Sequence, residues 1–248
     1  MKLPDLPQLA ILLFFIGQVV FFFYLRQTSL RSGDAPLQKA SARKVWQGIF
    51  LFFGLHLVLI SYLSTTGFFG ERTLPPRFPL ILVPHFILMF WMLAWKVKDK
   101  LFYLPAVPAA LLVGVQFYRF LLEFVILALY RQQIVPVQIT FEGRSFDILV
   151  GLAALATAYL LHRKVNNAAT IGIAFNLFGL ASLANIVFTA ATSFPSPFQL
   201  YATNLLPTYF PGVLVPGFVA PFAVYMHVFS LKQLLHHKRL QQQNVLAY

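Results

Sequence analysis

Long runs of apolar residues, separated by short polar or proline-rich stretches, make up most of this chain. A helix that crosses a bilayer needs about 17–25 apolar residues, at a rise of about 1.5 Å per residue. Seven runs approach or exceed that length, which predicts seven transmembrane helices. They lie near Leu6–Leu25, Val45–Thr65, Pro79–Trp95, Leu101–Leu129, Phe146–Leu161, Ala169–Thr192 and Gly212–Leu231.

The composition agrees with a membrane protein and excludes an ordinary soluble domain. Hydrophobic residues make up 59% of the 248 residues and charged residues 10%, against roughly 45–50% and about 25% in soluble proteins. A soluble fold of this size could neither bury that much apolar surface nor cover its exterior with so few charges. We therefore expect an all-α, multi-pass protein that forms a single membrane domain, located in the inner (plasma) membrane.

The distribution of basic residues predicts the orientation of the chain. Nineteen Lys and Arg residues give a net charge of +12; thirteen of them flank one side of the predicted spans and five the other. Because basic residues concentrate in cytoplasmic loops, the N-terminus is expected outside and the C-terminus in the cytoplasm. The basic excess is thus a topological signal. We expect contacts with membrane lipids and no binding of nucleic acid.

A self-match within the chain indicates an internal repeat. Residues 74–86 align without gaps to residues 206–218, with eight of thirteen positions identical and three prolines in register. Both copies lie where an outer loop enters a predicted span. A duplication predicts a three-helix half over residues 1–100, a linker helix over 101–130 and a second half over 131–248. The alternative is independent use of proline at two helix starts.

Two resemblances follow from these features. A parallel 3+1+3 repeat with an external N-terminus resembles the architecture of the SWEET sugar facilitators, in span count, orientation and repeat type only. No residue roles are transferred from that family. The segment Gln138–Leu152, QITFEGRSFDILVGL, is similar to one in an uncharacterised family of bacterial multi-pass inner-membrane proteins. This second resemblance implies a bacterial origin and no particular activity.

Six polar or ionisable residues are predicted within the outer half of the bilayer. A charged group there costs at least about 2.5–3.5 kcal/mol on insertion scales, so each needs a partner or a function. Arg119 and Glu123 lie four residues apart on one helix face, where either a structural ion pair or a ligand site would account for them. We expect a water-accessible cavity, open to the outside, and these ligand-binding candidates: Arg119, Glu123, His85, His56, Asn185 and Asp147. His227, in the inner half of the seventh span, is not expected to join them.

Helix-breaking residues and histidines add two further expectations. Pro84, Pro216 and Gly217 should break the third and seventh spans, as broken helices do around transporter cavities, although packing kinks are the plainer alternative. The sequence carries no zinc signature and no cysteine, so we expect no metal and no cofactor. Axial ligation of a b-type haem by His56 and His85 is the minor alternative.

These features favour binding or transport of a small solute or lipid-like molecule, which would enter from outside and lie between the two halves. One alternative is a membrane-embedded enzyme that acts on a lipid-like substrate. In that case Glu123 or His85 would serve as acid or base, and Arg119 would hold an anionic group. A third interpretation is a structural or accessory membrane subunit without a ligand.

Overall fold

The computed structural model describes residues 5–31, 36–94 and 107–246. In that part of the chain the regular structure is helical, and no strand is formed. Seven helices carry the fold: α1 (Leu6–Arg31), α2 (Pro36–Thr65), α3 (Pro79–Ala94), α4 (Ala109–Arg131), α5 (Asp147–His162), α6 (Ala168–Thr192) and α7 (Ala220–Leu246).

Five of these helices are long and apolar enough to cross a membrane: α1, residues Ala42–Thr65 of α2, α4, α6 and the stretch Val215–Leu240. The helices α3 and α5 are apolar but shorter. The surface of the bundle fits a lipid solvent, because large apolar side chains on α1 and α2, such as Leu13 and Leu55, are more than 60% exposed. The all-helical class is therefore confirmed, and the fold is compatible with a multi-pass membrane protein. Seven spans, the internal repeat and the orientation stay predictions.

The helices begin and end close to the predicted runs. Both α2 and α7 extend beyond them into polar sequence. The end of the third run, at Trp95, and the start of the fourth, residues 101–106, lie outside the described residues. The helix α5 is short because the loop before it, which contains the buried residues Ile139, Thr140 and Ser145, runs back from the end of α4 to the level of Glu123.

A close contact between α4 and α5 positions the centre of the molecule. A single 3₁₀ turn, Val115–Phe117, interrupts α4. Just after this turn, Gly151 of α5 lies so close to α4 that a Cβ atom on Gly151 would be 2.4 Å from the backbone nitrogen of Phe120. Only glycine permits this approach. Because Asp147 is one turn before Gly151, on the same face of α5, it lies beside Arg119.

The two self-matching segments differ in local structure and pack against each other. The helix α3 continues through Pro84, so the break expected there is absent, and His56 Nε2 donates to the nearby carbonyl of Ile81 at 3.1 Å. In the second copy, Val215–Val219 form a π-helical turn that contains Pro216 and Gly217. The two segments meet where the rings of His85 and Phe218 lie 5.3 Å apart.

Three loops pack together at the end of the bundle where α2, α4 and α6 terminate. Phe194, which follows α6, is fully buried. Its ring lies 6.4 Å from that of Phe69 and 5.4 Å from that of Phe78, both in the loop between α2 and α3. The loop before α5 joins the same cover, because the amide of Leu205 donates to the carbonyl of Ile134 at 2.9 Å. Aromatic contacts and a backbone hydrogen bond therefore hold the three loops together.

Candidate functional site: a buried polar network

Arg119 lies at the centre of a buried network between α4, α5, α6 and α7. Only 1% of its surface is exposed. One terminal nitrogen, Nη2, forms a salt bridge with Asp147 Oδ1 and donates to Ser182 Oγ at 3.3 Å. Ser182 Oγ in turn donates to Asp147 Oδ1 at 2.8 Å. The intrahelical ion pair of Arg119 with Glu123, one of the two interpretations of these residues, is therefore wrong: the arginine pairs with an acid on the neighbouring helix.

The second terminal nitrogen of Arg119 continues the network towards the opposite end of the bundle. Arg119 Nη1 contacts His227 Nε2 at 3.0 Å, and His227 Nδ1 contacts Asn176 Oδ1 at 2.9 Å. Asn176 Nδ2 donates to Ser230 Oγ at 3.0 Å. A guanidinium has no acceptor atom, so Nε2 must accept and Nδ1 must carry the imidazole proton. The hydrogen bonds thus have one direction, and His227 is neutral in this arrangement.

A glycine on α6 makes room for the histidine. A Cβ atom at Gly179 would lie 2.2 Å from His227 Cε1 and 2.3 Å from its Nε2. The small residue lets the imidazole approach the helix backbone closely, with Asn176 and Ser182 one turn to either side. The expectation that His227 does not join the other polar residues is wrong. The long side chain of Arg119 reaches across from α4 to the imidazole, and the position of His227 along its own helix does not reveal this contact.

Glu123 lies at the end of the network nearest the loop before α5, without a basic partner. Ser145 Oγ donates to Glu123 Oε1 and accepts from the amide of Asp147 at 3.3 Å. Glu123 is 4% exposed. Among the described residues no basic nitrogen lies within the 4.0 Å of a salt bridge. It is therefore a buried carboxyl group whose contact with the charge pair runs through a serine hydroxyl.

Asn185 supports the loop above the network and is not one of its members. Its Nδ2 donates to the carbonyl of Arg144 at 2.7 Å. The Arg144 side chain donates to the hydroxyl of Tyr201 at 2.6 Å, and among the described residues it forms no salt bridge with Glu142 or Asp147. These contacts hold the segment before α5 against the loop that follows α6, with Ser145 directed at Glu123.

The predicted histidines form a separate cluster on the other side of α7. His56 and His85 have ring centroids 4.8 Å apart at 84°. Tyr225 donates to the carbonyl of His85 at 3.1 Å. On α7, Tyr225 and His227 lie two positions apart and so face roughly opposite directions. The six predicted residues thus divide between two sites: Arg119, Glu123 and Asp147 in one with Asn185 above it, and the two histidines in the other.

The histidine pair does not fit a haem in this arrangement. Axial ligation needs one nitrogen of each ring directed at a shared iron. The rings instead lie edge to face, and His56 Nε2 is bonded to a backbone carbonyl. Among the described residues no group of three metal-binding side chains is present either. The expectation that the protein uses no cofactor stays a prediction.

Sequence reasoning missed Ser145, Asn176, Ser182 and His227. A signal for two of them was present: Asn176 and Ser182 lie on one face of an otherwise apolar α6, together with Gly172 and Gly179. Small and polar residues in such a pattern indicate a face in contact with other helices. Which helix they contact depends on the arrangement of the bundle.

Comparison of the chain with protein families, with curated proteins and with solved structures finds no match. The described residues form an all-helical fold that is compatible with a multi-pass membrane protein and has an ionic network buried among four helices.

Proposed function

We propose that this chain binds and moves a small solute or lipid-like molecule across the inner (plasma) membrane of a bacterium, and that the buried network is its proton-binding coupling centre. The observation that carries the proposal is Glu123: a buried carboxyl group without a cation, linked by Ser145 to a charge pair. An ionised carboxylate in such surroundings is costly, whereas a protonated one is not. Reversible protonation therefore changes the energy of the whole network.

Protonation of His227 would give such a centre a second arrangement. Protonation of Nε2 would remove the acceptor that Arg119 uses and would place two cations in contact. Arg119 or His227 would then have to turn away, and this movement would shift α4 or α7. Ionisable residues buried in membrane proteins commonly mark proton relays and substrate pathways. The π-helical turn at the start of α7 adds to this, because such turns are frequent at functional sites and permit local rearrangement.

The two other interpretations have less support. An enzyme in which Arg119 holds an anionic substrate would have to free a guanidinium whose terminal nitrogens already bind Asp147, Ser182 and His227. Of the two alternative acid/base residues, His85 lies in the other cluster, apart from Arg119. A purely structural subunit would account for the Arg119–Asp147 pair. It would give no role to Glu123, which is buried without a basic partner.

Infrared difference spectroscopy on the full-length protein in lipid nanodiscs tests the proposal. A pH change should produce a carboxylic acid band that the Glu123→Gln variant lacks. The matched control is Glu142→Gln, which removes an exposed acid from the adjacent loop and should leave that band unchanged. In proteoliposomes, the Glu123→Gln variant should also lose the proton flux that the Glu142→Gln variant retains.

Two results would contradict the proposal. One is an unchanged infrared band in Glu123→Gln, which would show that this carboxyl group does not titrate. The other is wild-type proteoliposomes that move no protons under any applied gradient, with the band still present, which would assign the network a structural role.

A further inference from the structure

A second site lies apart from the network, between α1, α2, α3 and the start of α7. It is a cavity of about 200 Å³. Aromatic rings form most of its wall: the ring of Phe22 lies 5.0 Å from that of Phe53 and 5.5 Å from that of Phe222. An engineered cavity of about 150 Å³ with apolar walls binds benzene. This space is therefore large enough for a ring-sized molecule.

The cavity also contains an unpaired polar side chain. Gln18 lines it and is 6% exposed, and neither its amide nitrogen nor its amide oxygen has a hydrogen-bond partner among the described residues. Leaving a buried polar group without a hydrogen bond is energetically costly, so a native structure rarely keeps one without a partner. His85 lines the same space, and its Nε2 has no hydrogen bond of normal geometry among the described residues.

The entrance of the cavity faces lipid. Gly54 lines the cavity and is also exposed on the surface of α2. No atom of another element lies within 4 Å of the position of a Cβ atom there. Its neighbours on the outer face, Leu51 and Leu55, are more than 60% exposed and apolar. This side of the cavity, between α1 and α2, gives a molecule dissolved in the bilayer a route that does not pass through the polar loops.

We propose that this cavity binds a ring-sized, mainly apolar molecule that enters from the bilayer and carries one hydroxyl or carbonyl group, hydrogen-bonded by Gln18. The amide offers both a donor and an acceptor, which matches either group. The surrounding rings favour a flat apolar body through edge-to-face contacts. The assignment is independent of the proton-binding network, since Gln18 and Gly54 take no part in it.

Two probes of matched size test the assignment on the full-length protein in nanodiscs: 4-methylphenol and toluene, which lacks the hydroxyl group. Saturable binding, followed by saturation-transfer NMR, should be about tenfold tighter for 4-methylphenol, as expected for one buried hydrogen bond. The Gln18→Leu variant should remove this preference and leave toluene binding within about twofold, a change of a few tenths of a kcal/mol. It should also raise the unfolding midpoint of the ligand-free protein. The control is Gln27→Leu, at an exposed position of α1.

A second variant tests the entrance. Gly54→Phe should abolish saturable binding of both probes, whereas Leu55→Phe, on the lipid-facing surface beside it, should not. Equal affinity for the two probes in both wild type and Gln18→Leu would overturn the polar contact, and is the result expected if an acyl chain is the true occupant. Unchanged binding in Gly54→Phe would overturn the location. Both results are independent of whether Glu123 titrates.

Discussion

Arg119 Nη1 lies 3.0 Å from Nε2 of His227, 108 positions further along the chain. This contact joins the middle of α4 to the N-terminal third of α7 and fixes the imidazole as the tautomer protonated at Nδ1. It also connects Asp147 and Glu123, at one end of the network, to Asn176 and Ser230 at the other. The network is therefore one unit, in which a change at one member is felt by the others.

The first prediction separates the two acids by their effect on stability. Asp147→Asn leaves Arg119 buried without an anion and should lower the free energy of unfolding by about 3–5 kcal/mol. Glu123→Gln keeps both the Arg119–Asp147 pair and an acceptor for Ser145, so its effect should stay below about 1.5 kcal/mol. Denaturant titration in mixed micelles measures both. The double variant Arg119→Met with Asp147→Leu should recover most of the loss. A larger effect of Glu123→Gln than of Asp147→Asn would contradict the pairing.

The second prediction concerns the space for His227. Gly179→Ala would place a methyl group 2.2 Å from His227 Cε1, so the ring must move and the contact with Arg119 should be lost. We expect destabilisation by about 1–3 kcal/mol, with a changed imidazole ¹⁵N shift for His227 in solid-state NMR. Gly17→Ala is the matched control, because nothing lies within 4 Å of its Cβ position. Equal stability of the two variants would mean that the ring can move without loss.

The third prediction tests the contact that positions Asp147. Gly151→Ala would place a methyl group 2.4 Å from the backbone nitrogen of Phe120, and backbone atoms cannot turn aside as a flexible side chain can. The helices α4 and α5 should separate, weakening the Arg119–Asp147 salt bridge, with a loss of about 1–3 kcal/mol in stability. Gly48→Ala, in open space, should change little. If Gly151→Ala unfolds like wild type, the close approach does not hold the pair together.

The fourth prediction is the orientation of the chain in the membrane. Green fluorescent protein fused after Tyr248 should fluoresce, since the basic residues place that end in the cytoplasm. Alkaline phosphatase at the same position should be inactive, because it needs the external compartment. Phosphatase fused within the loop after α4, at Gln133, should be active. The reverse pattern at both positions would invert the topology.

The helical, apolar nature of the protein and the approximate helix bounds follow from the sequence alone. Each depends on local properties: the length of an apolar run, and prolines such as Pro79 and Pro108 directly before or at a helix start. The cost of buried charge likewise identified Arg119, Glu123 and Asp147 as residues that need partners, before any neighbouring helix was known.

The choice of partners came only from the tertiary structure. Arg119 and Glu123 share a helix face, so sequence spacing favoured their pairing. Asp147 takes that place because Gly151 lets α5 touch α4, and His227 joins because Gly179 leaves room for its ring. Both glycines act through an approach between helices that are distant in sequence. The periodicity of a single helix does not show which residues of a distant helix a side chain can reach across such a contact.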